Sequence, residues 1–227
     1  MEFKDRVKDK RNIVFVGESG CGKTELSINL ACALAGDPSF KRKINLLDMD
    51  QTKFVFRSRD LAAKFESRGV NLIGGAHFLD APIVPPGTER LLKDENSFNI
   101  LDVGGNEIGA VSLGQYEKLL NNDITKFYIV VNPYRLLSTD GAHICTMIEG
   151  IKTLGRIENI EIVGNPHMGE ATTVESFYEG LSMLKERLAE ANLCCSILAI
   201  PNWLAAEEEV LRGEYDTILV ERFIQYP

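Results

Sequence analysis

The residues Gly17-Glu18-Ser19-Gly20-Cys21-Gly22-Lys23-Thr24 fit the spacing G-x-x-x-x-G-K-[ST] of a phosphate-binding loop. Each residue type has a chemical reason to be there. The glycines let successive backbone N–H groups turn inward around an anion, and the N-terminus of a following helix adds its positive dipole end. Lys23, read as a solvent-facing cation, reaches the β- and γ-phosphates, and the Thr24 hydroxyl ligates magnesium. The implied ligand is a nucleoside triphosphate. Three more clusters carry chemistry. Asp48 and Asp50 stand two apart at a strand end and so point the same way, toward a phosphate–magnesium centre or simply into solvent. Facing the centre, one would order a magnesium-bound water and the other orient the attacking water. Asp102 and Gly105 fit D-x-x-G, in which the Asp holds magnesium through water and the Gly N–H contacts the γ-phosphate. Asn165 follows an apolar run, where its amide either meets an adenine edge or caps the next turn.

These residues need a particular scaffold. Ile13-Val14-Phe15-Val16 reads as a strand, and Glu25 to Ala35 as an amphipathic helix ending near Gly36-Asp37-Pro38. Strands are expected at 43–47, 70–73, 98–103, 125–132, 159–164 and 195–200. Helices are expected at 56–68, 110–121, 139–154 and 173–192, with a helical tail to about 224. Residues 74–97, with Gly74-Gly75 and Pro82, Pro85 and Pro86, read as a long loop. The alternation predicts an α/β, doubly wound, mostly parallel sheet with helices on both faces, a Rossmann-like three-layer arrangement. Residues 1–11 read as a charged, solvated and frayed lead, and 12–227 as one nucleotide-binding domain.

Composition narrows the function classes. The 227 residues are 44% hydrophobic and 26% charged, ordinary for a globular protein. A net charge of −8 argues against a broad nucleic-acid face, which needs clustered Lys and Arg. No apolar run approaches the roughly 20 residues that span a bilayer, so no membrane insertion is expected. The five cysteines (21, 32, 145, 194, 195) form neither a C-x-x-C pair nor a secreted pattern, which reads as cytoplasmic with reduced thiols. Adjacent Cys194 and Cys195 read as core thiols, and His77, His143 and His167 show no metal spacing.

Together, the loop, Leu47-Asp48-Met49-Asp50, Asp102-Val103-Gly104-Gly105 and Asn165 resemble the MinD/ParA/nitrogenase-iron-protein (SIMIBI) class of P-loop ATPases. The chain is more narrowly similar to poorly characterised bacterial ParA-like ATP-binding proteins. That likeness rests on Gly22-Lys23-Thr24-Glu25, Phe56-Arg57-Ser58-Arg59-Asp60, Val131-Asn132-Pro133-Tyr134-Arg135 and Gly169-Glu170-Ala171-Thr172-Thr173. The resemblance implies ATP/ADP and Mg2+. It puts Gly17 to Glu25, Gly105, Asn165 and Pro166 around the nucleotide, with Pro201-Asn202-Trp203 closing over the base. Lys23, Asp50 and Asp48 fall at catalytic positions, and Thr24, Asp48 and Asp102 at metal positions.

One departure matters. Where the class often carries a second lysine after the loop's first glycine, this chain has Glu18. A carboxylate beside a polyphosphate, at about 4 Å and an effective dielectric near 20, would be repelled by roughly 4 kcal/mol. This puts an ATP-driven homodimer in doubt unless another cation serves, with Arg57 and Arg59 as candidates. The expected function is a slow, Mg-dependent ATP-hydrolysing switch acting on a protein partner or cargo. The alternatives are a small-molecule kinase or ligase resembling dethiobiotin synthetase, or a nucleotide-binding module without turnover.

Overall fold

The computed structural model describes residues 2–50, 59–74, 84–105 and 107–224, with the backbone alone for 59–62 and 107–108. The strands are β1 (Asn12–Val16), β2 (Lys43–Met49), β3 (Val70–Ile73), β4 (Ser97–Val103), β5 (Thr125–Val131), β6 (Glu161–Gly164), β7 (Ile197–Pro201) and β8 (Asp216–Val220). The helices are α1 (Phe3–Val7), α2 (Lys23–Ala35), α3 (Arg59–Glu66), α4 (Thr88–Lys93), α5 (Glu107–Gly114), α6 (Glu117–Leu120), α7 (Gly141–Gly155), α8 (Val174–Glu190) and α9 (Ala205–Leu211). Among the described residues the strands form one eight-stranded sheet in the order β3-β2-β4-β1-β5-β6-β7-β8, and every pairing is parallel. The predicted doubly wound α/β fold is therefore correct.

Continuous apolar strands are what a sheet covered on both faces requires. In β1, Ile13 and Phe15 pack with α1 and α2, while Val14 and Val16 pack with α7 and α8. This alternation of successive side chains puts one core on each side of the sheet. Helix α2 is not amphipathic, because Leu26 through Ala31 are buried in an unbroken run. Its far side is covered by the segment after β8: Asn29 exchanges hydrogen bonds with Glu221 N–H and C=O, both at 2.8 Å.

A row of polar side chains crosses the apolar sheet. Asn71 donates to Asn45 (3.0 Å), Asn45 to Asn99 (2.9 Å), Asn99 to Asn12 (2.9 Å) and Asn12 to Thr125 (3.2 Å). These residues are in-register neighbours on β3, β2, β4, β1 and β5. The side-chain row thus runs parallel to the backbone ladder.

Four expectations need correction. The lead is not a solvated tail: α1 buries Phe3 and Val7, and Arg6 pairs with Asp216 (2.5 Å) and Glu161 (2.6 Å). The expected helical tail is helical as far as Leu211, in α9, and then becomes strand β8, in which Ile218 and Val220 are buried and Leu219 is exposed, a period of two. The 74–97 loop contains α4, which starts at Gly87 in a left-handed conformation. The helix expected at 110–121 is split into α5 and α6, and Phe56 to Ser58 lie outside the described residues.

Candidate functional site

The loop between β1 and α2 turns on three glycines: Gly17, Gly20 and Gly22 have φ of +133°, +76° and +105°. L side chains rarely adopt these values. A Cβ on Gly17 would come within 2.5 Å of the Val130 carbonyl, and one on Gly22 would collide with the Asn165 amide. Gly105 lies against the same loop, since a Cβ there would collide with Gly17 and meet Ser19 N at 2.7 Å. Two glycine motifs far apart in sequence thus touch backbone to backbone.

Lys23 is not solvent-facing. It is 1% exposed, and its Nζ donates to the Glu18 carbonyl at 2.9 Å. A buried ammonium needs an acceptor, and the loop supplies one of its own. Glu18 also departs from expectation. It is 5% exposed, with Oε2 accepting from Leu137 N–H (2.8 Å) and Oε1 from Ser138 Oγ (3.0 Å). The carboxylate thus grips the 3-10 turn Leu136–Ser138 after β5, where an amide and a hydroxyl satisfy it. The anticipated repulsion beside a polyphosphate does not follow from this placement.

The strand-end aspartates come together as β2 and β4 pair in register at Asp48 and Asp102. Thr24 Oγ1 donates to Asp102 Oδ2 at 2.5 Å, and Asp50 N–H donates to Asp48 Oδ1 at 3.0 Å. All three aspartates are buried. Among the described residues no cluster of three or more His, Cys, Asp or Glu makes a closed metal cage. Hydroxyl and carboxylate oxygens are nonetheless the donors magnesium takes, and it commonly uses one or two carboxylates with substrate phosphates. Arg57 lies outside the described residues, and Arg59 opens α3.

A cavity of about 530 Å³ opens over the loop and the C-terminal ends of β5 to β8. Its floor is Ser19, Gly20, Gly22, Lys23, Thr24 and Glu25, and its walls include Arg135, Asn165, His167, Met168, Pro201, Trp203 and Arg222. Open α/β sheets bind ligands at such an edge. The aspartates do not line this cavity; Thr24 connects them to it. Asn165 does not cap its turn: its Nδ2 donates to the Cys21 carbonyl at 2.6 Å, tying β6 to the loop. The Glu25 oxygens accept from Phe223 N–H (3.1 Å) and Ile224 N–H (2.8 Å), and burial raises its pKa against those bonds. Trp203 donates from Nε1 to the Thr172 carbonyl at 3.1 Å, whereas Pro166 and Asn202 are not among the lining residues.

Two wall residues, Asn132 and His167, were assigned no site role from the sequence. Asn132 builds the turn after β5, accepting from Tyr134 N–H (3.0 Å) and donating to the His167 carbonyl (2.9 Å). His167 is held neutral: burial, then the charges of Arg135 and Arg222, lower its pKa from 6.5 to about 4. Its Nδ1 accepts from Gly169 N–H at 3.0 Å. The available signal was position, since each of these residues follows a strand at its C-terminal end.

No family model and no curated protein matches the chain. Among solved structures it is similar to FtsY from Mycoplasma mycoides, with 18% identity and a TM-score of 0.50, over 96% of this chain and 67% of that one. The chain has the fold of the SIMIBI class of P-loop proteins. MinD from Aquifex aeolicus matches with 19% identity and a TM-score of 0.41, over 78% of this chain and 79% of its own. At 18% identity the likeness to that FtsY speaks to the fold alone. In this SIMIBI-type fold the loop, the paired aspartates and the cavity share one edge of the sheet.

Proposed function

We propose that the chain is a magnesium-dependent ATP-binding switch that hydrolyses ATP slowly and whose nucleotide state is read by a protein partner. One observation carries this reading: two left-handed glycines, Gly20 and Gly22, and Lys23 lie in the floor of a cavity whose charged lining, among the described residues, is Lys23, Arg135 and Arg222 against Glu25. That is the electrostatics a polyphosphate needs. In this reading the backbone from Gly17 to Thr24 cradles the phosphates. Lys23 leaves the Glu18 carbonyl for the β- and γ-oxygens, and Pro201, Met168 and Trp203 flank the base. Thr24, Asp102 and Asp48 hold magnesium, which when bound neutralises charge on the phosphate oxygens. Asp50 orients the attacking water. Adenine is preferred because no N-K-x-D motif, which would supply a carboxylate to guanine, follows the strands. A protein partner is supported by Leu136 and Leu137, 85% and 47% exposed on the turn that Glu18 grips.

Calorimetric titration with ATP and with GTP, each with magnesium, tests the reading. ATP is expected to bind more tightly, and Lys23→Ala to weaken it by about 100-fold or more, as loss of a charged phosphate contact implies. Equal or absent binding of both nucleotides would overturn the proposal.

A further inference from the structure

The turn after β5 is fixed from every side except at one residue. Asn132 closes its start, and Tyr134 packs on α8 and donates from its hydroxyl to the Ser176 carbonyl at 2.5 Å. Arg187 donates to the carbonyls of Pro133 and Ser138, both at 2.6 Å, bracketing the turn. Glu18 holds its far end through Leu137 and Ser138. Between these anchors stands Arg135, with no carboxylate partner among the described residues. Its guanidinium lies over the phosphate loop, where a Cβ built on Gly20 would be 3.3 Å from Cζ and 3.5 Å from Nε. The other cations of the cavity are engaged, Lys23 by the Glu18 carbonyl and Arg222 by Glu170 at 2.6 Å.

We infer that Arg135 is a phosphate-contacting arginine supplied from within the same chain, and that Glu18 is the positioning residue that holds it there. The inference rests on the nucleotide-binding reading above. A guanidinium fork matches phosphate oxygens, and a contact from a turn already locked costs little ordering on binding. Glu18 and Arg135 are then two halves of one device. The acid at the loop's second position does not face the ligand; it fixes a turn that brings a cation back over the loop. Neither Arg57 nor Arg59 is needed for this role.

The test is calorimetry with ATP–magnesium at several salt concentrations, with melting of the ligand-free protein measured alongside. Arg135→Ala is expected to weaken ATP binding by roughly tenfold or more, the scale of one charge-assisted hydrogen bond. It should flatten the salt dependence, affect ATP more than AMP, and leave the ligand-free melting point unchanged. Arg135→Lys should recover part of the affinity. Glu18→Ala should lower both melting point and ATP affinity, and the double variant should bind ATP no worse than Arg135→Ala alone. If Glu18→Ala does not fold, Glu18→Gln replaces it and Arg135→Ala still decides. Wild-type binding with Arg135→Ala unchanged in affinity and salt slope overturns the inference while leaving the nucleotide reading intact. Additive losses in the double variant overturn the coupling. A wild type that binds no nucleotide overturns the reading beneath both.

Discussion

Asp50 sits one residue beyond β2, buried, with its N–H on the Asp48 carboxylate. Asp102 meets Thr24 and Asp48 is its in-register neighbour, so in the proposed function Asp50 is the acid that handles water. Asp50→Ala is therefore expected to retain ATP–magnesium binding and to lose about 100-fold or more in single-turnover hydrolysis. A loss confined to Asp48→Ala would move the role two residues back. His167 gives a pH dependence whose sign is fixed. Its pKa is about 4 folded against 6.5 unfolded, so above 6.5 both states are neutral and it imposes no penalty. As pH falls from 6.5 toward 4 the unfolded chain takes up the proton first, and stability drops by up to roughly 1.4 kcal/mol per pH unit. Denaturant melts at pH 7 and pH 5 should show this drop in the wild type and a smaller one in His167→Gln. Side chains of this kind mark what sequence spacing reveals. The phosphate loop was legible because its chemistry is contiguous. Glu18 was misread because its partners lie 119 and 120 positions away, and nothing in a one-dimensional pattern says which way a carboxylate turns.

At the scale of elements, the asparagine row on β3, β2, β4 and β1 does what apolar side chains cannot. A one-residue slip in any of these strands would leave buried amides without partners, so register is enforced by polar satisfaction as well as by burial. Asn99 is the centre of the row, accepting from Asn45 and donating to Asn12 and to the Leu91 carbonyl at 3.0 Å. Asn99→Ala is expected to cost about 2–5 kcal/mol in chemical denaturation, because it strands more than one buried group. Asn99→Asp, which keeps the size but loses the donors, should cost a similar amount. The row emerges only once strand order is known, since its members lie on four strands far apart in sequence. The same limit explains β8. Ile218, Leu219 and Phe223 suit a helix face or an edge strand equally well on spacing, and pairing with β7 decided it. Helix α4 was hidden because prolines on its N-terminal side read as a loop.

At the scale of the molecule, the parallel sense of the strands followed from alternating β and α patterns, which a doubly wound sheet all but requires, whereas their order did not. How the first residues close the fold did not, since nothing local in a short charged run announces a partner at the far edge. Helix α1 staples β6 to β8 through Arg6, and Glu2 bridges Thr217. Arg6→Ala should therefore cost about 1–2 kcal/mol in denaturant midpoint, the value of partly screened charge-assisted bonds. A midpoint within error of wild type would show the staple to be ornamental. The staple also has a consequence for biosynthesis. Arg6 and Asp216 are 210 positions apart. At synthesis rates of about 5–20 residues per second, the partner of Arg6 is made on the order of 10–40 s after it. For that interval α1 has Phe15 and Tyr128 to pack on but no edge strand to dock on. Nascent chains stalled before β8 should accordingly be sensitive to protease at α1 and attractive to ribosome-associated chaperones, while the released protein is neither.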